Sequence, residues 1–347
     1  MKTKRIKTIA IVAFLTLLVL PNLIMLFGDE FKPNTKNPIQ LVKQIKAEYG
    51  SKYGSKPEFL SGYLTVKSKV LKDKTLPNRA FKAKQGWWFL GNHYNNSLDN
   101  VFGHTSYSDL ELKTIEISLN SWQTYLKEIN ISFYVIVPPN KNKVYKEFLP
   151  YQLNQKTTKI QQLTNHLKLK NKINLIDLTE PILNAKNDHQ TYIKTDTHWN
   201  DYGAYIGYKN TLKDINKSFN YDIEKLTDYT FNYNNNYAGD IPQLIKTHSF
   251  STNTTLRKNH YQSKNVQLEE YRRCYKNTSK TGSVLIHHDS FMLAMMQFMN
   301  ETFGEVNYLK SYQLSEEVIL KHQPNIVILE LVERNLDALL KLKKPLN

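Results

Sequence analysis

Cysteine is all but missing from this chain of 347 residues, where Cys274 stands alone. A single thiol excludes an intrachain disulfide and any zinc site built on a cysteine cluster, and it leaves the redox compartment undecided. Glycine is sparse too, with 12 residues and no Gly-rich phosphate loop among them. There is no nucleic-acid module and no internal repeat. Acidic side chains are outnumbered, 31 against 47 Lys and Arg, which gives a formal net charge of +16. That excess calls for a polyanion, an anionic membrane surface, or nothing specific. The lysines are scattered rather than gathered on one basic helix, so a solvated surface or attraction to an acidic glycan accounts for them better than nucleic acid.

With 40% hydrophobic residues the chain can bury one sizeable core. Lys2, Lys4, Arg5 and Lys7 precede an almost unbroken apolar run from Ile9 to Phe27. As a helix this run is about 28 Å long, against a bilayer core of about 30 Å. The flanking positive charge predicts a single-pass anchor over residues 1–30, with the body outside the cytoplasm. A cleaved signal peptide is the other reading, but Leu23 to Gly28 offers no small-x-small cleavage pattern. Residues 31–78 are polar, Lys-rich and broken by Pro33, Pro38 and Pro57, and read as a membrane-proximal helical arm. The folded part is then residues 79–347, opening on the aromatic strand Gln85 to Gly91. Trp87 and Trp88 there are read as packing, with sugar stacking as the alternative.

From Ser108 onward the pattern is α/β. Leu112, Ile115, Leu119, Trp122 and Leu126 share one helical stripe over 108–129, and Ser108 with Glu111 has the spacing of a capping box. Ile131 to Val137 is a strand apolar on both faces, stopped by Pro138-Pro139. A helix over 159–167 leads to a strand over 173–178, and a further helix is expected over 201–216. Residues 219–280 lose the pattern and are read as an irregular insertion with a helical patch at Gln267 to Tyr275. Strands are expected again at 283–287, 305–309 and 324–331, with an apolar helix over 291–303. Strands buried on both faces and separated by helices predict a mostly parallel sheet in three layers, with its chemistry beyond the carboxyl ends of the strands.

Two segments carry chemistry. Asp196-Thr197-His198-Trp199-Asn200 places a carboxylate and an imidazole two residues apart. Ile286-His287-His288-Asp289-Ser290-Phe291 places a serine after a buried strand. Together they supply a Ser290-His198-Asp196 triad, in which the imidazole takes the hydroxyl proton and the carboxylate fixes its tautomer. The blander alternatives are that Ser290 caps a helix and that His198 is a structural histidine bonded to Asp196. His287, His288 and Asp289 invite a metal reading, but consecutive strand residues point to opposite faces and do not converge on one ion. Lys141 and Tyr145 are read as cleft lining or surface packing. Trp199 is read as a wall of the site or part of the core.

The motif Asp196-x-His198-Trp199, the upstream Gly-Trp strand, the strand ending in Asp289-Ser290-Phe291 and the late strand ending in Glu333-Arg334 resemble one family. It is the SGNH-type O-acetyltransferases of bacterial exopolysaccharides, the alginate acetyltransferase or DHHW-like group. The resemblance runs from about Arg79 to the C-terminus. It implies an SGNH-hydrolase-like fold in circularly permuted order, an acetyl-Ser290 intermediate, a polysaccharide acceptor and a membrane-embedded acyltransferase as acetyl donor. It calls for no cofactor and no metal. The amide of Phe291 at the helix start, and Arg334 or Asn335, are the implied oxyanion or substrate-binding groups, with Trp199 beside them. His288 in place of the glycine of G-D-S, and a late loop without G-x-N-D, are departures that bear on those oxyanion donors. Two other functions remain open from the sequence: an SGNH carbohydrate esterase or deacetylase, and a non-catalytic glycan-binding scaffold of an export complex.

Overall fold

The computed structural model describes residues 77–150, 156–168, 173–246, 248–268 and 272–346, with the single positions 16, 37, 40 and 43. The expected anchor over 1–30 and nearly all of the arm over 31–78 lie outside the described residues. Among the described residues no helix is long and apolar enough to cross a membrane.

The aromatic segment that opens the folded part is a shorter strand than its sequence suggests. Phe81–Lys82 (β1) and Trp88–Phe89 (β2) pair antiparallel around a turn in which Gln85 takes a φ of 53°. Trp87 is buried and stacks on Tyr145 and Phe148, with ring centres 4.0 and 5.2 Å away, so its role is packing.

Helix α1 (Asp109–Glu128) starts at the capping box: Ser108 Oγ accepts from the Glu111 amide, and Glu111 Oε2 accepts from the Ser108 amide. Such a cap contributes about 0.5–2 kcal/mol. The stripe Leu112, Ile115, Leu119, Trp122 and Leu126 is buried, and the helix leads into Ser132–Val137 (β3). Helix α2 (Lys159–Lys168) leads to Asn174–Asp177 (β4), and helix α3 (Asp201–Ile215) follows the Asp196 segment.

Between α3 and the later strands the chain is more regular than expected. Tyr229–Ala238 (β5) and Phe250–Lys258 (β6) form a long antiparallel hairpin. Lys264–Leu268 (β7) and Arg272–Lys276 (β8) add to the main sheet, so of the helical patch expected at Gln267 to Tyr275 the described residues, 267–268 and 272–275, are strand instead. Its charged residues pair through the backbone with the next strand, and that tertiary pairing overrides the local spacing. Ser283–His287 (β9), helix α4 (Met292–Thr302), Glu305–Leu309 (β10) and Ile326–Glu330 (β11) complete the core.

The seven strands run β4-β3-β11-β9-β10-β8-β7, parallel from β4 to β10 and antiparallel at β8 and β7. The fold is α/β with a mixed sheet. Alternation sends Ile136, Ile286 and Ile328 into the core cluster that holds α3 and α4 residues. Val135, Leu285, Val327 and Leu329 go to the opposite cluster with α1 and α2. Burying each such side chain contributes about 1.5–3 kcal/mol. Strands β3, β11 and β9 lie side by side and end at one edge. There Leu331 donates to Ile136 O (3.1 Å) and Glu333 to Pro138 O (2.8 Å). The loop that leaves this edge after β9 carries Ser290, and the loops after β3 and β11 carry Asn140 and Arg334.

Candidate active site

The loop bearing Asp196 and His198 is closed by its own backbone. Tyr192 and Trp199 form an isolated antiparallel bridge, Ile193 N donates to His198 O (3.3 Å), and Asn200 N donates to Thr191 O (3.0 Å). Asn200 then caps α3, accepting from Gly203 N at 2.9 Å. In this tight loop Asp196 Oδ1 lies 2.7 Å from His198 Nδ1 and also accepts from the His198 amide at 3.0 Å.

Ser290 sits on the turn between β9 and α4. Asp289 Oδ1 accepts from the Phe291 amide at 2.8 Å, an Asx turn that shapes the elbow. Asp289 Oδ2 is held by Val332 N (2.9 Å), Tyr312 OH (3.1 Å) and Asn335 Nδ2 (3.2 Å). The elbow brings Ser290 Oγ to 2.8 Å from His198 Nε2, across 92 positions of sequence. Trp199 joins the two segments directly, its indole Nε1 donating to Phe291 O at 2.9 Å. It is buried core. Gly207 on α3 makes room for it, because a Cβ there would lie 2.9 Å from the indole ring.

The other residues expected at the site are arranged differently from one another. The Phe291 amide is committed to Asp289, and both N–H groups of Asn335 are committed to Asp289 and Tyr312, so neither is a free oxyanion donor. Those are corrections to the expected roles, and they follow from the elbow needing Asp289 fixed. Arg334 stacks its guanidinium 5.3 Å from the centre of the Phe291 ring, which itself lies 5.2 Å from the His198 ring. Its Nη1 reaches Asn140 Oδ1 at 3.4 Å, and Asn140 Nδ2 is buried with no partner among the described residues. Asn140 follows Pro138-Pro139, so its strand was visible in the sequence although its side chain was not singled out.

Lys141 is neither cleft lining nor surface packing. It is buried, and its Nζ donates to the carbonyls of Asp196 (2.5 Å), Lys194 (3.2 Å) and Ile193 (3.3 Å), behind the triad loop. Burial pushes this ammonium down to about 7, with the charges of Asp240 and Asp196 pulling the other way. Replacing Lys141 by Met should leave Asp196 O without a donor among the described residues, while Ile193 O keeps the Asp196 amide and Lys194 O keeps the Trp88 amide, at a cost of about 1–3 kcal/mol. A clear drop in the thermal unfolding midpoint is the expected result. An unchanged midpoint would mean the loop holds its shape without the ammonium.

Asp240, to which no motif points, lies in the chain after β5. Its carboxylate accepts from Thr197 N (2.7 Å) and Thr197 Oγ1 (2.6 Å), its amide donates to Asp196 Oδ2 (3.3 Å), and its Oδ2 is 3.8 Å from His198 Nδ1. The adjoining Gly239 passes so close to Thr195 that a Cβ would lie 2.0 Å from the Thr195 carbonyl oxygen. Burial raises the Asp196 pKa, but the bonds from His198 and its charge outweigh that and leave it below the usual aspartate value. Asp240 goes the other way, raised by burial and by the neighbouring Asp196 charge. Asp196, His198 and Asp240 offer ligand atoms within 4.8 Å of one another. These atoms are already bonded to each other and to Thr197, so the set reads as a hydrogen-bonded triad support. His287 and His288 do not converge on Asp289: His287 is fully buried, pushed down to about 4 by that burial, and His288 Nδ1 lies 2.6 Å from Asp289 O.

A serine hydroxyl, an imidazole and a carboxylate at these distances have the geometry of a Ser-His-Asp relay. The family model described as an SGNH hydrolase-like domain, acetyltransferase AlgX, matches residues 81–284. The chain belongs to this family. The matched span contains Asp196 and His198 and stops short of Ser290, whose assignment stands on geometry. Among solved structures, Bacillus cereus PatB1 with a sulfonyl adduct superimposes with a TM-score of 0.59 at 19% identity, covering 76% of this chain and 98% of that one. The O-acetyltransferase domain of Pseudomonas putida AlgJ gives 0.51 at 15% identity, over 77% of this chain and 94% of that one. At such identities the likeness establishes the fold. No curated protein matches the chain by sequence.

Proposed function

We propose that this member of the AlgX-type family is an O-acetyltransferase that works outside the cytoplasm, tethered by residues 1–30. It would move an acetyl group through Ser290 to hydroxyls of a cell-surface or exported polysaccharide. The observation that carries the reading is the unbroken relay from Asp196 Oδ1 through His198 to Ser290 Oγ, with contacts of 2.7 and 2.8 Å.

In the first half-reaction Ser290 Oγ attacks the acetyl carbonyl as its proton passes to His198 Nε2. The donor's leaving oxygen departs with that proton, and acetyl-Ser290 remains. In the second, His198 takes the proton of an acceptor hydroxyl, the acceptor oxygen bonds to the acetyl carbon, and Ser290 Oγ leaves with the proton restored. Asp196 keeps the ring in the tautomer whose Nε2 is free to accept. Arg334 is the charged donor that supports an oxyanion here, since among the described residues its guanidinium is bonded to Asn140 Oδ1 and lies over the Phe291 ring, with no carboxylate at ion-pair distance. The acetyl donor would be a membrane-embedded acyltransferase, which suits a tethered enzyme whose second substrate is outside.

Transfer and hydrolysis differ only in the second nucleophile. With an activated acetyl ester as donor, added oligosaccharide should accelerate ester consumption and itself become acetylated. Acetate release that is indifferent to the sugar would assign the chain to the esterases of this fold.

A further inference from the structure

The chain enters its folded part at a fixed point. Pro77 O accepts from the Asn92 amide (2.9 Å) and Asn78 O from the His93 amide (2.8 Å), which ties the incoming segment to the one that follows β2. Beside that entry Arg79, His93 and Lys246, with Leu244 and Ile245, line an open hollow of about 910 Å³. We propose that this face is a membrane-contact surface that rests on an anionic lipid leaflet, with its cations against lipid phosphates and its exposed apolar side chains among the headgroups. The inference rests on the tethered reading and names the surface that meets the bilayer.

Three observations carry it. The first is where the chain comes from. The anchor proposed over 1–30 reaches the domain through residues 31–76, so Pro77 is the point from which the tether draws the domain toward the lipid. A tethered domain meets the leaflet at an effective concentration on the order of millimolar, and a weak contact is then enough to seat it.

The second is charge. Among the described residues the hollow has no carboxylate in its lining, and neither Arg79 nor Lys246 has one within ion-pair distance. Asp99, on the neighbouring helix Ser97–Phe102, is taken by Asn92 Nδ2 (2.8 Å) and His104 Nδ1 (3.0 Å). Each Lys or Arg brought up to an anionic bilayer multiplies partitioning about fivefold, an attraction that a neutral bilayer does not supply.

The third is what surrounds those cations. Leu244 is 45% exposed and Phe250 is 56% exposed. Phe250 pairs with Ala238 at the base of the β5–β6 hairpin, a short way along the chain from Lys246. A leucine and an aromatic ring beside basic residues make the composition of an interfacial surface. The face is firm beneath, where Ala80, Trp88, Leu90 and Ile241 form a small core with Tyr94 and Ile245 packed against it. That core is bonded to the triad loop, Trp88 N donating to Lys194 O (2.9 Å) and Ile241 N to Thr195 O (3.2 Å). A domain seated on this face therefore holds the loop of Asp196 and His198 close over the leaflet.

The test uses the full chain in detergent, in nanodiscs of phosphatidylcholine, and in nanodiscs with phosphatidylglycerol added, and reads backbone hydrogen exchange. The amides of residues 243–250 should exchange about tenfold more slowly in the anionic nanodiscs than in the neutral ones or in detergent. The double variant Arg79→Glu/Lys246→Glu should lose that slowing. Lys113→Glu, the same kind of charge change on exposed α1, should keep it. Equal exchange in the two nanodiscs, or slowing that survives the double variant, would overturn the proposal. So would the same slowing in detergent on addition of polyglutamate, which assigns the face to a soluble polyanion. If residues 1–30 are missing from the mature chain, the tethered reading falls instead. Flotation of that released form with anionic but not neutral vesicles then still supports the face, and flotation with neither overturns it.

Discussion

Ser290→Ala is expected to lower turnover of an activated acetyl ester by a factor on the order of 10⁶, which is what loss of the nucleophile costs in a comparable triad. Removing one oxygen from a half-buried position on a turn should change stability by less than about 1 kcal/mol. The turn itself does not depend on that oxygen, since its shape comes from Asp289 and the four groups bonded to it. Steady-state rates and the unfolding midpoint of the purified variant check both halves. Retained turnover in a folded Ser290→Ala protein would remove the nucleophile assignment.

Asp196→Asn carries the second largest expected effect, a loss in turnover on the order of 10⁴. Asn presents an N–H to His198 Nδ1 where the carboxylate presented an oxygen, so the ring is driven to the tautomer with its proton on Nε2. That nitrogen then cannot take the Ser290 proton. The same carboxylate predicts the acid side of the pH profile. Its folded-state pKa is lowered, so its bond to His198 is fully present above the ordinary aspartate range and is lost as pH falls through the lowered value. Asp240 is 3.8 Å from His198 Nδ1 but is held by Thr197 and has a raised pKa, which makes it a poor substitute. Equal rates for Asp196→Asn and the parent would mean that Asp240 orients the ring after all.

Much of this was legible before any coordinates. The helix at Asp109–Glu128 shows itself through a capping box and an apolar stripe, both of which are local. The central strands show themselves because parallel strands covered on both faces must be apolar throughout. Asp196, His198 and Ser290 could be paired because each lies just after or before a regular element whose type was plain. The hairpin β5–β6 was hidden because its Tyr- and Asn-rich strand is largely exposed and shows no alternation. β8 was hidden because Arg272 to Lys276 becomes a strand through its pairing with β10 and β7. Asp240 and Lys141 act on the triad loop through its backbone amides and carbonyls, and no spacing rule connects a side chain to a carbonyl 55 positions away. Phe291 and Asn335 were misjudged as oxyanion donors for a related reason, because their bonds to Asp289 exist only once the elbow is folded. The extent of the anchor and of the arm, with boundaries at 30 and 78, belongs to the proposal.

The most direct test of a single acyl-transfer unit is to trap the enzyme with an activated acetyl ester, digest it with trypsin and fragment the peptide between Lys280 and Lys310. One acetyl group on Ser290, absent when His198 is replaced by Ala, is the predicted result. Acetylation spread over other hydroxyls of that peptide, or none on Ser290 in protein shown to be folded, would contradict it.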